Sequence, residues 1–185
     1  MSEPKKKGSM LVKLLKLFVL VVLLCVAAFV GVGLFVLDGK YDVERSVVIN
    51  ADSDDVHKQV GDLRQWPNWL PFTKHEPTIK TTIVKPEGVG ASQHWEGKDG
   101  KGELTFTASD EDKGVEFDMV FDGKWKSKGR LIYEKSGDGT KVTWRMTGQN
   151  DDFVGKYFAA LMPNMVGPMF EEGLADLKKK VEEKK

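Results

Sequence analysis

The chain is poor in the residues that make covalent cross-links and reactive centres. It has 185 residues with one cysteine and three histidines. A disulfide needs two cysteines, so Cys25 cannot form one within the chain. The chain also lacks an excess of positive charge, since it has 28 Lys and Arg against 28 Asp and Glu. Binding of nucleic acid requires a basic face, so we expect no nucleic-acid partner.

Charge is missing altogether from residues 17–37, with the sequence LFVLVVLLCVAAFVGVGLFVL. At about 1.5 Å per residue, a helix of this length spans a hydrocarbon core of roughly 30 Å. The run is longer than the apolar part of a signal peptide, and no small-residue cleavage site follows it. Leucine precedes Cys25, which argues against a lipoprotein. The sequence therefore predicts one transmembrane helix over 17–37.

The charges around this run predict its orientation. Residues 1–16 contain five lysines against Glu3 alone, while the segment after the run mixes both signs. Positive charge is enriched on the cytoplasmic side of membrane spans. We therefore expect a basic cytoplasmic tail at 1–16 and an extracytoplasmic domain at 41–185. In a bacterium, this is a single-pass protein of the inner membrane.

The rest of the chain predicts an antiparallel sheet and a long terminal helix. Residues 41–50 form a first strand, and a short helix follows, capped by Asp52 or Ser53. Alternation of apolar and polar residues then predicts six strands, with a hairpin turn at Asp138-Gly139. Two apolar stripes at helical spacing are predicted to cover the dry face of the sheet. The first comprises Phe153, Val154, Tyr157, Phe158 and Leu161; the second comprises Phe170, Leu174, Leu177 and Val181.

Four strings carry a resemblance to a known family: ERSVVINADSDDVHKQVGDLRQWPNWLPF, GVGASQHWEG, GTKVTWRMTG and FEEGLADLKKKVEE. With the order of elements, they resemble the START-like helix-grip superfamily, also called SRPBCC or the polyketide cyclase/dehydrase and lipid-transport group. The resemblance covers 41–185 and is similar to the bacterial subgroup with an N-terminal membrane span. It implies an α+β fold, in which a curved antiparallel sheet wraps around a long C-terminal helix. It also implies a hydrophobic cavity between sheet and helix, for lipids, sterols, polyketides or quinones.

The segment WPNWLPF, residues 66–72, is too rich in proline for a long helix or a central strand. In the implied fold it lies at one end of the gap between sheet and helix. Trp66, Trp69 and Phe72 then either wall a cavity or fill the core. Together with adaptable methionines, the aromatic residues suggest a ligand lining. The predicted lining residues are Trp69, Trp95, Phe117, Met119, Trp144, Met146, Phe158, Met162 and Met165.

Residues for chemistry are sparse. The histidines His57, His75 and His94 have no metal-ligand spacing, and we expect neither a metal nor a cofactor. His57 lies beside acids on a helix, which indicates a surface role. Only the pair His75-Glu76 is a weak candidate for an acid or base near a cavity mouth. No nucleophile motif or phosphate-binding loop is present.

Three functions remain open at this point. The first is membrane-anchored binding, with or without transport, of a hydrophobic small molecule such as a lipid or quinone. The second is a polyketide cyclase/dehydratase-like enzyme that uses the same cavity. The third is a protein-interaction domain whose cavity is filled by its own side chains. The first is favoured, and the sequence says nothing about oligomeric state.

Overall fold

The computed structural model describes residues 7–98 and 100–183, and it has two compact units that divide between Asp38 and Gly39. The first unit contains helix α1, Lys7–Phe35. Its segment Met10–Phe35 is long and apolar enough to cross a membrane. Part of the basic tail predicted at 1–16, namely residues 1–6, lies outside the described residues, as does Asp99 of a predicted turn.

The second unit is built on a seven-stranded antiparallel sheet in the order β1-β7-β6-β5-β4-β3-β2. Each strand after β2 pairs with the strand before it, and β7 closes the sequence by pairing with β1. The predicted order of one strand, short helices, six strands and a long helix is confirmed. The strands are β1 Lys40–Ile49, β2 Lys80–Lys85, β3 Ser92–Gly97, β4 Gly100–Asp110, β5 Gly114–Phe121, β6 Trp125–Ser136 and β7 Gly139–Gln149.

One turn differs by a residue from its prediction. The hairpin between β6 and β7 turns at Gly137 and Asp138, and Gly139 is already the first residue of β7. Gly137 has φ +60°, a conformation in which glycine has no steric penalty. The sequence offered two glycines around Asp138, and the first of them makes the turn.

Short helices connect β1 to β2. Helix α2, Ser53–Val60, buries Val56 and Val60. A 3-10 turn, Trp66–Asn68, and a single helical turn α3, Phe72–His75, follow. Pro67 and Pro71 sit at the starts of these two turns, where proline costs no backbone hydrogen bond.

Helix α4, Phe153–Glu182, is one helix with Pro163 and Pro168 inside it. Its N-cap is Asp152, whose Oδ1 accepts a hydrogen bond from Gly155 N at 3.0 Å. The second predicted apolar stripe, from Phe170 to Val181, is buried against the sheet as expected.

The first predicted stripe is wrong as a cover for the sheet. Val154, Phe158 and Leu161 are exposed, and Phe153 and Tyr157 are only half-buried. Gly155 and Ala159 are buried instead, with Met162 and Val166 half-buried behind them. The reason is close packing, because small residues let α4 approach the sheet. A small residue also permits close packing in the second half of α4, since a Cβ added at Gly173 would lie 3.0 Å from the Trp144 ring.

Candidate hydrophobic-ligand site

The inner face of the sheet, which faces α4 and α2, is organised in rows of side chains across the strands. The strand register defines them. We call the row at one end of the sheet the mouth row; it holds Trp95, Gly102, Phe121 and Trp125. The second row holds Gln93, Leu104, Met119, Ser127, Gly148 and Tyr41. The third row holds Phe106, Phe117, Gly129, Met146 and Val43, and the fourth holds Val115, Leu131, Trp144 and Arg45.

The third and fourth rows are filled. Trp66 packs on Phe106 and Phe117, with ring centroids 5.7 and 5.6 Å away. Trp69 is fully buried between Trp66 and Trp144. The two tryptophans of the WPNWLPF segment therefore fill the core, whereas Phe72 is half-buried against it.

Two details hold this filled end rigidly. The indole N–H of Trp66 donates to Val60 O at 2.8 Å, and that of Trp69 donates to Gln59 O at 3.2 Å. Both acceptors lie at the end of α2, so the segment is pinned to that helix. On the other side, Trp144 stacks on Phe170 of α4 with centroids 3.9 Å apart.

Packing loosens toward the mouth row. Trp95 lies over Gly102, where an added Cβ would come within 2.2 Å of its ring. Phe121 stacks on Trp125 at 6.0 Å, and Trp125 contacts Phe158 of α4 at 5.9 Å. Trp95 is only half-buried, as are Met119 in the second row and Met162 on α4. At this end of the domain, apolar side chains on the sheet and on α4 are incompletely covered.

A polar pair lies in the second row, between the filled end and the mouth row. The hydroxyls of Tyr41 and Ser127 are 2.6 Å apart and both residues are buried. Burial raises the pKa of Tyr41, so its phenol is neutral. Sequence reasoning missed both residues. Strand parity offered a signal for Ser127, which follows Trp125 by two residues and so shares its face.

The predicted lining residues fall into three groups. Those at the filled end, all buried, are Trp69, Phe117, Trp144 and Met146. The half-buried ones near the mouth row are Trp95, Met119 and Met162. Phe158 and Met165 are exposed along the edge of α4, at 44% and 54%. Their role as a ligand lining stays a prediction, and for Trp69 and Trp144 packing already explains their position.

The acid–base pair makes structural contacts. His75 Nε2 and Glu172 Oε2 are 2.8 Å apart, which joins α3 to α4. Glu76 accepts hydrogen bonds from Lys98 N at 2.9 Å and from Thr78 Oγ1. It therefore ties the segment after α3 to the turn between β3 and β4. Within residues 7–98 and 100–183, no group of His, Cys, Asp and Glu is arranged to hold a metal ion.

His57 is the clear correction. It is half-buried, and its ring lies edge-on to Tyr133 with Nε2 3.3 Å from Ser109 Oγ and Nδ1 3.4 Å from Tyr133 Oη. Burial lowers the pKa of His57, although the carboxylates of Glu111 and Asp110 act in the opposite direction. The predicted surface role is wrong because α2 turns this side chain toward the sheet.

Two open surface cavities in the described part of the domain lie away from the gap between the sheet and α4. One of about 570 Å³ is lined by His57, Asp54, Asp62, Glu87 and Glu111 among others. The other, about 210 Å³, lies on the outer face of the sheet beside Lys128, Arg130 and Arg145. Charged side chains line both cavities, so neither of them is a purely apolar site.

The comparisons with known proteins agree with this architecture. The chain belongs to the polyketide cyclase / dehydrase and lipid transport family, whose model matches residues 40–182. This confirms the resemblance to the SRPBCC group, and the fold is the expected helix-grip. The family is associated with hydrophobic ligands. No match was found among curated proteins.

Solved structures support the fold at low sequence identity. KanY is 18% identical, with a TM-score of 0.60 over 78% of this chain and 99% of KanY. Protein MLL2253 from Mesorhizobium loti is 11% identical, with a TM-score of 0.60 over 78% of this chain and 98% of its own. DynU16, from the dynemicin biosynthetic locus, is 16% identical with a TM-score of 0.58; the match covers 78% of this chain and 48% of DynU16.

Proposed function

We propose that the protein is a membrane-anchored binding protein for a hydrophobic small molecule, such as a lipid or quinone. The observation that carries this proposal is the gradient of burial along the inner face. The third and fourth rows are closed, whereas Trp95, Met119 and Met162 stay half-covered around the mouth row. An apolar ligand bound there would remove the exposed apolar surface of these side chains from water, which is favourable.

The polar pair narrows the ligand class. The hydroxyls of Tyr41 and Ser127 lie one row deeper than the mouth and carry no charge. They suit a single neutral polar group, such as a carbonyl or hydroxyl, at the inner end of an apolar molecule. A ligand with a charged inner end would be disfavoured by desolvation without a counter-charge.

The anchor gives this site its context. Helix α1 would hold the domain at a bilayer, extracytoplasmic in a bacterium by the lysine argument. Linking a binding site to the source of its ligand raises the effective concentration without any new contact. A weak site at the mouth row is therefore sufficient for capture or transfer.

Binding is favoured over catalysis because the candidate acid and base are occupied. His75 is paired with Glu172, and Glu76 accepts hydrogen bonds from Lys98 N and Thr78. A cyclase or dehydratase mechanism would need a group of this kind directed at the substrate. We assign no reaction to the chain.

The packed rows favour a second candidate, a protein-interaction domain without a small-molecule ligand. Trp66, Trp69 and Trp144 already occupy much of the space that a deep cavity would need. In that case the mouth row is the edge of a core rather than an entrance.

Native mass spectrometry of the full chain, extracted in one detergent and then exchanged into a second, tests the proposal. The informative variant is Met162→Trp, which adds bulk beside the mouth row. The matched control is Ala160→Trp, which adds the same ring on the exposed side of α4. We expect a retained apolar molecule in the wild type and in Ala160→Trp, and its loss from Met162→Trp.

The other outcomes are also decisive. A molecule that all three proteins retain equally would be lipid bound around α1, which contradicts a site at the mouth row. A wild-type protein that retains nothing, and that binds no probe from a panel of lipids and quinones, favours the interaction domain.

A further inference from the structure

The first half of α4 carries an apolar surface that nothing in the second unit covers. Val154, Phe158, Leu161 and Met165 are 57%, 44%, 51% and 54% exposed. Their spacing of four, three and four residues places them on one side of the helix, and we call them the exposed stripe. At 1.5 Å per residue, the exposed stripe runs for about 16 Å. Exposed apolar side chains grouped on one side of a helix are typical of a contact site.

The exposed stripe borders the mouth row. Phe158, within the stripe, contacts Trp125 of the mouth row. Met162, one turn further along α4, is half-buried toward the sheet. A surface that covers the exposed stripe therefore also meets the entrance of the proposed site.

The connection between α1 and β1 is short. Residues 36–39 alone separate the end of α1 from the start of β1. Four residues reach at most roughly 14 Å. Gly39 O accepts a hydrogen bond from Asn150 N at 2.9 Å, and an added Cβ at Gly39 would lie 3.2 Å from the Lys156 side chain. The connection to α1 thus ends beside the first turn of α4, where the exposed stripe begins.

We propose that the exposed stripe docks on the surface of the bilayer that holds α1, so that the mouth row opens toward the lipid. This inference rests on the proposed function, because it needs the anchor and gives the site its route of loading. Apolar side chains of an interfacial helix enter the boundary between headgroups and acyl chains by about 5–10 Å. The stripe has the length and the exposure for such a contact.

The attraction is apolar rather than ionic. Lys124, whose ammonium lies 5.1 Å from the centroid of the Trp125 ring, is paired with Asp152 at 3.2 Å. No run of lysines flanks the stripe, in contrast to helices that recognise anionic lipids. Docking should therefore persist in vesicles without anionic lipid and at high salt.

Spin labels on the full chain in phosphatidylcholine nanodiscs test the docking. Cys25 is the single native cysteine and lies within α1, so labelled wild type reports whether α1 is inserted. In a Cys25→Ser background, Val154→Cys and Leu161→Cys place labels on the exposed stripe. Ala160→Cys places the control label on an exposed position off the stripe. The readout is the ratio of oxygen to nickel-chelate collision rates, which rises with depth.

We expect ratios at 154 and 161 that approach the ratio at Cys25, with a water-like ratio at 160. Water-like ratios at 154 and 161 overturn the docking, and so does spin–spin broadening there, which would mean a second copy. A water-like ratio at Cys25 overturns the anchor itself. Neither Val154 nor Leu161 is a proposed lining residue, so retention of ligand in these variants reports on the site separately.

Discussion

His57 shows how far the environment of a single residue can depart from its sequence neighbours. Asp54, Asp55 and Lys58 surround it in the chain, yet its contacts are Ser109 and Tyr133, 52 and 76 residues away. Both nitrogens face hydroxyl groups, which suit the neutral ring. Protonation would place a charge in a half-buried position.

This position predicts a stability that depends on pH. Because the pKa of His57 is lowered in the folded state, the unfolded chain binds a proton first as pH falls. The contribution of His57 is complete above about pH 6.5. It is lost as pH falls from there through the folded pKa. We expect the urea midpoint of the full chain in micelles to fall between pH 7.5 and pH 5.5.

His57→Gln isolates this contribution, since glutamine keeps a polar side chain without a titration. All other ionisable groups are the same in the two proteins, so the difference between their pH dependences reports on His57 alone. A wild type and a His57→Gln variant with the same slope of midpoint against pH would show that His57 titrates alike in both states.

Two leucines of helix α4 test which side of this helix is buried against the sheet. Leu174 is 2% exposed in the second stripe, whereas Leu161 lies on the exposed stripe. Leu174→Ala leaves a cavity and should lower the free energy of unfolding by about 2–5 kcal/mol. Leu161→Ala should change it by less than about 0.5 kcal/mol. Urea unfolding in micelles measures both, and equal losses would contradict the described rotation of α4.

The same helix explains which elements the sequence could predict. Side chains of a strand alternate between two faces, and in these strands only one face is apolar. Phe117, Trp144 and Met146 were therefore correctly predicted to point inward. The first half of α4 offers two parallel apolar rows, one of large residues and one led by Gly155 and Ala159. Size suggested the wrong row, because small residues are the ones that permit close approach to the sheet.

The candidate site was harder to predict than the fold for a related reason. Alternation identifies inward residues but not the depth at which packing opens. That depth depends on which rows Trp66 and Trp69 fill, and a segment without periodicity does not reveal it. Ser127 had the inward parity, yet only the register across β6, β7 and β1 brings it to Tyr41.

At the scale of the whole molecule, the proposed function assigns complementary roles to the apolar helix α1 and to the helix-grip domain. An isolated site of half-covered side chains would bind its ligand weakly in water. If α1 holds the domain at a bilayer, as we propose, the effective concentration of a membrane ligand is high and the site needs little depth. A filled core and a shallow mouth are then compatible with a binding function.

The last prediction concerns the side of the membrane on which the domain at 41–185 lies. Two fusions to the C-terminus in a bacterial host measure it: alkaline phosphatase, active only outside the cytoplasm, and green fluorescent protein, fluorescent only within it. With five lysines within residues 1–16, before the uncharged run, we expect active phosphatase and dark fluorescent protein. Replacing all five by glutamine should shift part of the population to the opposite pattern. Fluorescence from the wild-type fusion would place the domain in the cytoplasm, where the exposed stripe would meet the inner leaflet instead.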